Sequence, residues 1–264
     1  MGLIFDARAA RLYEAWYHSP QGRAMEKLVK ESVSTLLDLQ PGERILDIGC
    51  GEGNHLLLFS QLGFDVFGLD ASPYMVRRAR ERLGPRVMAR VGEAEDLPFE
   101  DNEFDLALFI NTLEFLDNPI EALREAGRVA RRSVFVGVTN SLSWYCLCAK
   151  LGSLFRKSLS TYATSYNLWE LKSFVHSALG GVPIKWRCAQ VRAPVLERIG
   201  RLLSERWYLE NCPFGSFLGL SATIQYRVRT IQNPLKVRLE KAGHPAVRGV
   251  TMGEVENYER SLSL

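Results

Sequence analysis

The chain has 264 residues, 47% of them hydrophobic and 24% charged, with a formal net charge of +3. That is enough apolar material for one large buried core, or for a core with a small appended cap. No stretch approaches the ~20 uninterrupted apolar residues of a membrane span, and the N-terminus is too polar for the apolar centre of a secretory signal. Gly2 is followed by Asp6 where a myristoylation signal needs Ser or Thr. The five cysteines, Cys50, Cys146, Cys148, Cys188 and Cys212, form no C-x-x-C pair and have no histidine at ligand spacing. The expectation is a reduced cytoplasmic chain without structural zinc or other metal. Residues 1–139 carry 16 Lys/Arg against 22 Asp/Glu, and residues 140–264 carry 17 against 8. No tight basic run accompanies this asymmetry, so it reads as solvation of the outer faces rather than as a nucleic-acid footprint.

In chain order, residues 5–37 predict helices, "FDARAARLYEAWY" and "GRAMEKLVKESVSTLLDL", closed by Pro41-Gly42. "RILDIG" is a short apolar run of strand length, and "NHLLLFSQLG" a helix with Gly63 as its stop. "DVFGLD" is a second strand; "SPYMVRRARERLG" is a helix with Ser72 as N-cap and Pro73 in its first turn. "RVMARVG" and "FDLALFIN" are the third and fourth strands, and "NPIEALREAGRVA" a helix leading to a fifth, "SVFVGVT". Alternation of strand and helix over residues 44–139 is the pattern of a doubly wound α/β sheet. Continuously apolar strands agree with burial on both faces. Beyond it, "IKWRCAQV" and "FLGLSATIQYRVRT" read as the last two strands.

In open α/β sheets ligands sit at the carboxyl ends of the strands. The turn "GCGEG" lies at that edge, and Gly49, Gly51 and Gly53 let the backbone curl and approach a ligand. The spacing from Asp47 to Gly53 is D-x-G-x-G-x-G rather than the G-x-G-x-x-G of dinucleotide sites. Asp47 would repel a pyrophosphate but suits an ammonium. Asp70 ends the second strand where a carboxylate can accept both hydroxyls of a ribose, and Glu93 with Ala94 follows the third strand beside a place for an adenine. Ammonium, ribose and adenine without phosphate describe S-adenosylmethionine.

The ordered stretch "ILDIGCGEGNH…VFGLDASPYMVRRARER…VGEAEDLPFEDNEFDLALFINTLEFLDNP…ALREAGRVA" resembles the class I S-adenosylmethionine-dependent methyltransferases, in particular the group with the ubiquinone/menaquinone-biosynthesis enzymes. The resemblance covers roughly residues 5–139 and implies a Rossmann-like seven-stranded sheet, mostly parallel, with an antiparallel last strand and a helical cap. It implies that Asp47, Gly49, Cys50 and Gly51 hold the methionine moiety and that Gly53 completes the turn. It assigns Asp70 to the ribose, Ala71 and Met75 to the flanks of the adenine, and Glu93 with Ala94 to its edge. Asn111 would lie beneath the sulfonium, and Tyr13, in the cap of residues 1–43, would close over the cofactor. Two departures stand out: Glu114-Phe115 replaces a Glu-His pair, and "ARRS" at Ala130–Ser133 replaces a Pro-Gly-Gly turn.

Asn111 and Glu114 are the candidates for a catalytic role, with Glu114 also readable as a solvent-facing side chain and no base assigned. Cys50 reads as a small neutral filler, and His55 as surface or packed structure rather than a base. The expected domain of residues 44–230 holds a helical insertion at 141–178, followed by an extension over 231–264. Trp144, Tyr145, Leu147, Leu151, Leu154 and Phe155, followed by Arg156 and Lys157, read as lid core or as a peripheral membrane contact. The expected activity is methyl transfer to a small, apolar or lipid-like acceptor. A non-catalytic cofactor-binding sensor or partner subunit is the alternative. An RNA methyltransferase fits less well, since no RNA-binding module or N-P-P-Y-type motif is present.

Overall fold

The computed structural model describes residues 4–84, 87–143, 163–189 and 213–224. Two helices come first, α1 (Ala7–Tyr17) and α2 (Pro20–Leu36). Each starts where a side chain satisfies otherwise unpaired N–H groups. Asp6 accepts from Arg8 and Ala9 at 2.9 and 2.7 Å, and Ser19 accepts from Gly22 at 3.1 Å. The alternating segment follows as β1 (Arg44–Ile48), α3 (Asn54–Gln61), β2 (Asp65–Asp70), α4 (Pro73–Leu83), β3 (Met88–Val91) and β4 (Phe104–Ile110). Then come α5 (Pro119–Val129), β5 (Ala130–Thr139), α6 (Leu168–Leu179), β6 (Ile184–Ala189) and β7 (Phe217–Thr223). Ser72 caps α4 with Pro73 in its first turn, as its sequence predicts. Asn167 and Glu170 form a reciprocal capping box on α6.

The strands form one seven-stranded sheet in the order β3-β2-β1-β4-β5-β7-β6. The first five run parallel, and β7 lies antiparallel between β5 and β6. This is the expected doubly wound sheet with its antiparallel last strand. Every residue of β4 is buried, because helices cover both faces. One face packs Ala122, Leu123 and Ala126 of α5 and Leu171 and Val175 of α6 against Leu46, Ala107 and Val136. The other packs Met25, Val29 and Val33 of α2 and Leu56 and Phe59 of α3 against Ile45, Leu106 and Phe135. The N-terminal α2 is therefore part of the sheet's covering layer.

One expectation is corrected. "ARRS" forms no turn: α5 ends at Val129, and Ala130 already continues as β5, with extended backbone at φ −92°, ψ 129°. A register shift between Phe104 and Leu106 absorbs the early start. The two arginines have partners there, Arg131 on Asp105 and Arg132 on the Asp38 carbonyl and the Glu43 carboxylate. Of the insertion expected at 141–178, α6 is helical, while residues 163–167 run as a non-helical lead with Tyr166 bridged to Asn140. Residues 144–162, which include the aromatic and basic run, lie outside the described residues. So do positions 225–230 of the last expected strand and the extension 231–264.

The short α1–α2 connection leaves no room at Gly22, where a Cβ would stand 2.3 Å from the Trp16 carbonyl oxygen and 2.4 Å from that of Tyr17. Gly22→Ala is expected to cost roughly 1–3 kcal/mol by forcing backbone apart. The reading is a lower urea midpoint at unchanged slope.

Candidate functional site

The strand order reverses between β1 and β4, where a crevice opens at the carboxyl edge. A cavity of about 560 Å³ occupies this place, within the size range of small-molecule sites. The turn after β1 forms one wall. Gly49 and Cys50 both donate their N–H groups to the Leu69 carbonyl, at 2.7 and 3.0 Å, which ties the turn to the end of β2. Gly49 has φ +76°, and a Cβ there would meet Thr112 at 2.2 Å, so only glycine lets β1 and β4 close at this edge. Gly51, at φ +54°, has no atom of the described residues within 4 Å of its Cβ position. The space at Gly51 belongs to the cavity rather than to a neighbouring side chain.

Asp70 organises the mouth. Its two oxygens accept from Gly51 N–H and Ser72 N–H, both at 2.8 Å. Ser72 in turn donates its hydroxyl to the Phe5 carbonyl at 2.6 Å, so the segment before α1 is fastened across the site. Phe5 stacks edge-on with Tyr13 and with Phe115, at centroid distances of 6.0 and 5.2 Å. Burial pushes the Asp70 carboxyl upward, against the pull of its two N–H donors.

Most residues singled out in the sequence meet here. Tyr13, Gly49, Cys50 and Gly51 line the cavity, as do Asp70, Ala71, Met75, Glu93, Ala94 and Asn111. Two others do not. Gly53 is the αL N-cap of α3, where a Cβ would strike Leu83 at 2.5 Å, so its glycine serves helix packing. Asp47 is buried behind the wall at 1% exposure. Alternation along β1 puts it on the same face as Ile45, under α2 and α3. Cys50 fills the gap beside Gly68, whose Cβ position lies 2.8 Å from the Cys50 sulfur, and burial raises the thiol well above its ordinary range. A neutral filler is what its sequence context predicts. Phe5 and Thr112, which the sequence reading passed over, and Phe115, which it noted only in place of a histidine, also line the cavity; the pairing of distant segments brings them there.

Behind the wall lies a buried charged cluster. His55, in the first turn of α3, lines the cavity and holds its Nε2 3.3 Å from Oε2 of Glu26 on α2. Burial would raise the Glu26 carboxyl, but His55 and Tyr17 hold it down to about 2. Burial likewise works against the His55 cation, yet Glu26 and Asp47 raise its pKa overall. Asp47 is pushed up to about 6 by burial, with His55 opposing and Asp70 and Glu26 assisting. Its Oδ2 has no hydrogen-bond partner among the described residues. His55 is thus packed, as expected, and its charged partner comes from a helix 29 residues earlier.

Asn111 follows β4 in the left-handed region, φ 53°, donating its N–H to the Gly137 carbonyl at 2.8 Å. Its Oδ1 is buried with no hydrogen-bond partner among the described residues. Glu114 corrects a second expectation: it does not face solvent. It is 4% exposed, and its Oε1 accepts from Thr139 N–H at 2.8 Å. Its carbonyl accepts from Thr164 N–H at 2.9 Å, which joins the end of β4, the end of β5 and the lead into α6. Glu114 is not among the residues lining the cavity. Burial pushes its carboxyl up to about 7 although the Thr139 N–H pulls it down.

Residues 46–136 match a family model described as a methyltransferase domain. An uncharacterized protein of Methanocaldococcus jannaschii is 28% identical over 225 residues, covering 83% of this chain and 98% of its own length. The demethylmenaquinone methyltransferase of Renibacterium salmoninarum is 33% identical over 111 residues, covering 42% of this chain and 45% of that protein. The chain spans less than half the length of several curated relatives that it matches. Among solved structures, a Thermotoga maritima S-adenosylmethionine-dependent methyltransferase, titled a possible histamine N-methyltransferase, superposes with a TM-score of 0.63. It is 24% identical, over 83% of this chain and 97% of its own, and supports the fold.

The buried Glu114 makes a directional prediction for stability. A carboxyl raised to about 7 in the folded protein keeps its proton where the unfolded chain has already lost it. Stability is therefore expected to fall as pH rises from about 4.5 through 7, by on the order of 3 kcal/mol from this group. Glu114→Gln is expected to flatten that slope, read from urea denaturation across the pH range.

Proposed function

We propose that this chain, whose residues 46–136 match a methyltransferase domain, binds S-adenosylmethionine at the strand edge and transfers its methyl group to a small, apolar or lipid-like acceptor. The observation that carries this reading is the glycine turn and Asp70 opening together onto one cavity, with unoccupied space at Gly51. The residues fit the group. Asp47 lies behind the glycine turn rather than in the cavity lining, with a buried oxygen that has no donor among the described residues, and its charge favours an ammonium at the turn. Asp70 uses one lone pair of each oxygen on the backbone and has others for the two ribose hydroxyls.

Bound there, the cofactor supplies a methyl group already activated on a sulfonium, with a neutral thioether to leave. The chain's own task is orientation. The backbone of Gly49, Cys50 and Gly51, with Asp47 behind it, holds the methionine end. Ala71 and Met75 flank the adenine, and Glu93 and Ala94 meet its edge. Asn111 lies toward the sulfonium, with Tyr13 covering the site from α1. Holding nucleophile and methyl in line removes ~7–11 kcal/mol of barrier in favourable cases, without a general base. Glu114 lies outside the cavity, and we read it as a structural carboxyl. The apolar character of the acceptor is supported by Ile4, Phe5, Phe115 and Leu116 at the cavity wall.

Calorimetric titration with S-adenosylmethionine, S-adenosylhomocysteine and NAD is expected to give saturable binding of the first two alone. Gly51→Arg fills the open space, and Asp70→Ala removes hydrogen bonds to a charged group. Each is expected to weaken binding about 10-fold or more, with circular dichroism unchanged. Wild-type affinity in both variants rejects the site. Formation of S-adenosylhomocysteine with quinone and lipid precursors then separates an enzyme from a protein that only binds the cofactor.

A further inference from the structure

Arg78 on α4 is not among the residues lining the cavity, yet it bonds to two elements that are. Its Nε donates to Oε1 of Glu52 at 3.3 Å, and its Nη2 donates to Oε1 of Glu14, also at 3.3 Å. Glu52 stands in the glycine turn between Gly51 and Gly53, and Glu14 follows Tyr13 on α1. We propose that Arg78 is a positioning residue for the cofactor: its guanidinium holds α1 and the glycine turn in one fixed relation beside the cavity, and so sets how fast the cofactor leaves. The inference rests on the reading that the cofactor occupies this cavity.

The turn needs a partner outside itself. Gly51 and Gly53 stand at φ +54° and +78°, and glycines lose more conformational freedom on ordering than other residues. Backbone bonds from Gly49 and Cys50 to Leu69, and from Gly53 to Cys50, fix the main chain. Glu52 carries the one charged side chain of the turn, lines the cavity and is only 11% exposed. A carboxylate so enclosed needs a cation beside it. Among the described residues Arg78 is its one ion-pair partner.

The α1 helix also depends on others. At 11 residues it is too short to be stable in isolation, and Ala10 is its only fully buried residue. Two bonds fasten it to α4. The Phe5 carbonyl accepts from the Ser72 hydroxyl at 2.6 Å before the first turn, and Glu14 meets Arg78 beyond Tyr13. Ile4, Phe5 and Tyr13 carry this segment into the cavity lining, as Met75 carries α4, one turn before Arg78. The far end of the glycine turn has its own tie, from Arg82 to the Asn54 side chain. Among the described residues no side chain other than Arg78 bonds to both α1 and the turn. Arginine suits this place because a planar group holds Nε and Nη2 at a fixed separation, whereas a lysine ammonium is a single point.

The test follows release of S-adenosylhomocysteine from the immobilised protein by surface plasmon resonance. The amino-acid end of this ligand carries no net charge, so the rate reports fastening rather than a change in the field of the site. Arg78→Gln is expected to speed release about 5-fold. Glu14→Gln and Glu52→Gln are expected to speed it about 2-fold each, and neither adds to Arg78→Gln. Arg78→Lys is expected to recover part of the loss. High salt is expected to bring the wild type toward Arg78→Gln, because Arg78 and Glu14 are 40% and 39% exposed and their pair is screened. Arg124→Gln, which breaks an exposed ion pair on α5, is expected to leave the rate unchanged.

Hydrogen exchange supplies a reading without ligand. In Arg78→Gln, residues 5–17 and 49–56 are both expected to exchange faster, while β4 and β5 keep their wild-type protection. An unchanged release rate in Arg78→Gln overturns the proposal, as do glutamate substitutions whose effects add fully to it. Faster exchange throughout the sheet overturns it too, because that reports general loosening. Failure of the wild type to bind S-adenosylhomocysteine rejects the cofactor reading instead. Exchange then still decides whether Arg78 joins the two elements, and acceleration in one alone or in neither overturns that. Should Arg78→Gln not fold, Glu14→Gln and Glu52→Gln carry both measurements, each expected to loosen its own element, and wild-type behaviour in both overturns the proposal.

Discussion

The site depends on the two oxygens of one carboxylate. Asp70 accepts from Gly51 on one side and Ser72 on the other, and Ser72 passes the connection to the Phe5 carbonyl. A loop of glycines has large conformational freedom to lose, and these bonds add to those of Gly49 and Cys50 to Leu69 and of Gly53 to Cys50 in fixing it. The same carboxylate starts α4, because Ser72 can cap that helix only from the position in which Asp70 holds it. Turn, helix start and N-terminal segment are therefore parts of one hydrogen-bonded unit.

Close approach is the second constraint. Gly49 brings β1 to the Thr112 side chain, and Gly68 admits Cys50 and Leu56 against β2. These contacts narrow the crevice where the strand order reverses. Glycine at 49 does conformational and steric service together, since its backbone lies at positive φ and its Cβ position is already occupied. At 51 the steric reason is reversed: no atom of the described residues lies within 4 Å of the Cβ position.

Burial of ionisable groups around this crevice runs against stability. Asp47 and Glu114 are both raised by enclosure, and each would ionise more cheaply in the unfolded chain. Apolar residues would pack these places at lower cost. The difference between the two carboxyls is in their company. Glu114 accepts a backbone N–H and ties β5 to the segment before α6, which is a structural use. Each keeps one buried oxygen, Oδ2 of Asp47 and Oε2 of Glu114, with no hydrogen-bond partner among the described residues, and Asp47 alone has the His55 ring acting to lower it. The helix that supplies the counter-ion, α2, also buries Met25, Val29 and Val33 against the sheet, so its docking delivers Glu26 to a fixed place.

The order of strands and helices over residues 44–139 is determined by local pattern: apolar runs of strand length, Ser72-Pro73 before a helix, glycines at the stops. These signals depend on a few adjacent residues, so they survive without a fold. The spacing from Asp47 to Gly53 and the placing of Asp70 are equally local, and they identify the kind of ligand. "ARRS" misled because a strand can begin inside a polar pair when Asp105 and Glu43, far along the chain, supply the partners. The depth of Asp47, the burial of Glu114, the aromatic wall of Phe5 and Phe115, and the meeting of Glu26 with His55 were decided only by tertiary structure. Each depends on which distant segments the sheet and its covering helices bring within a few ångströms, and no periodicity along the chain encodes that distance.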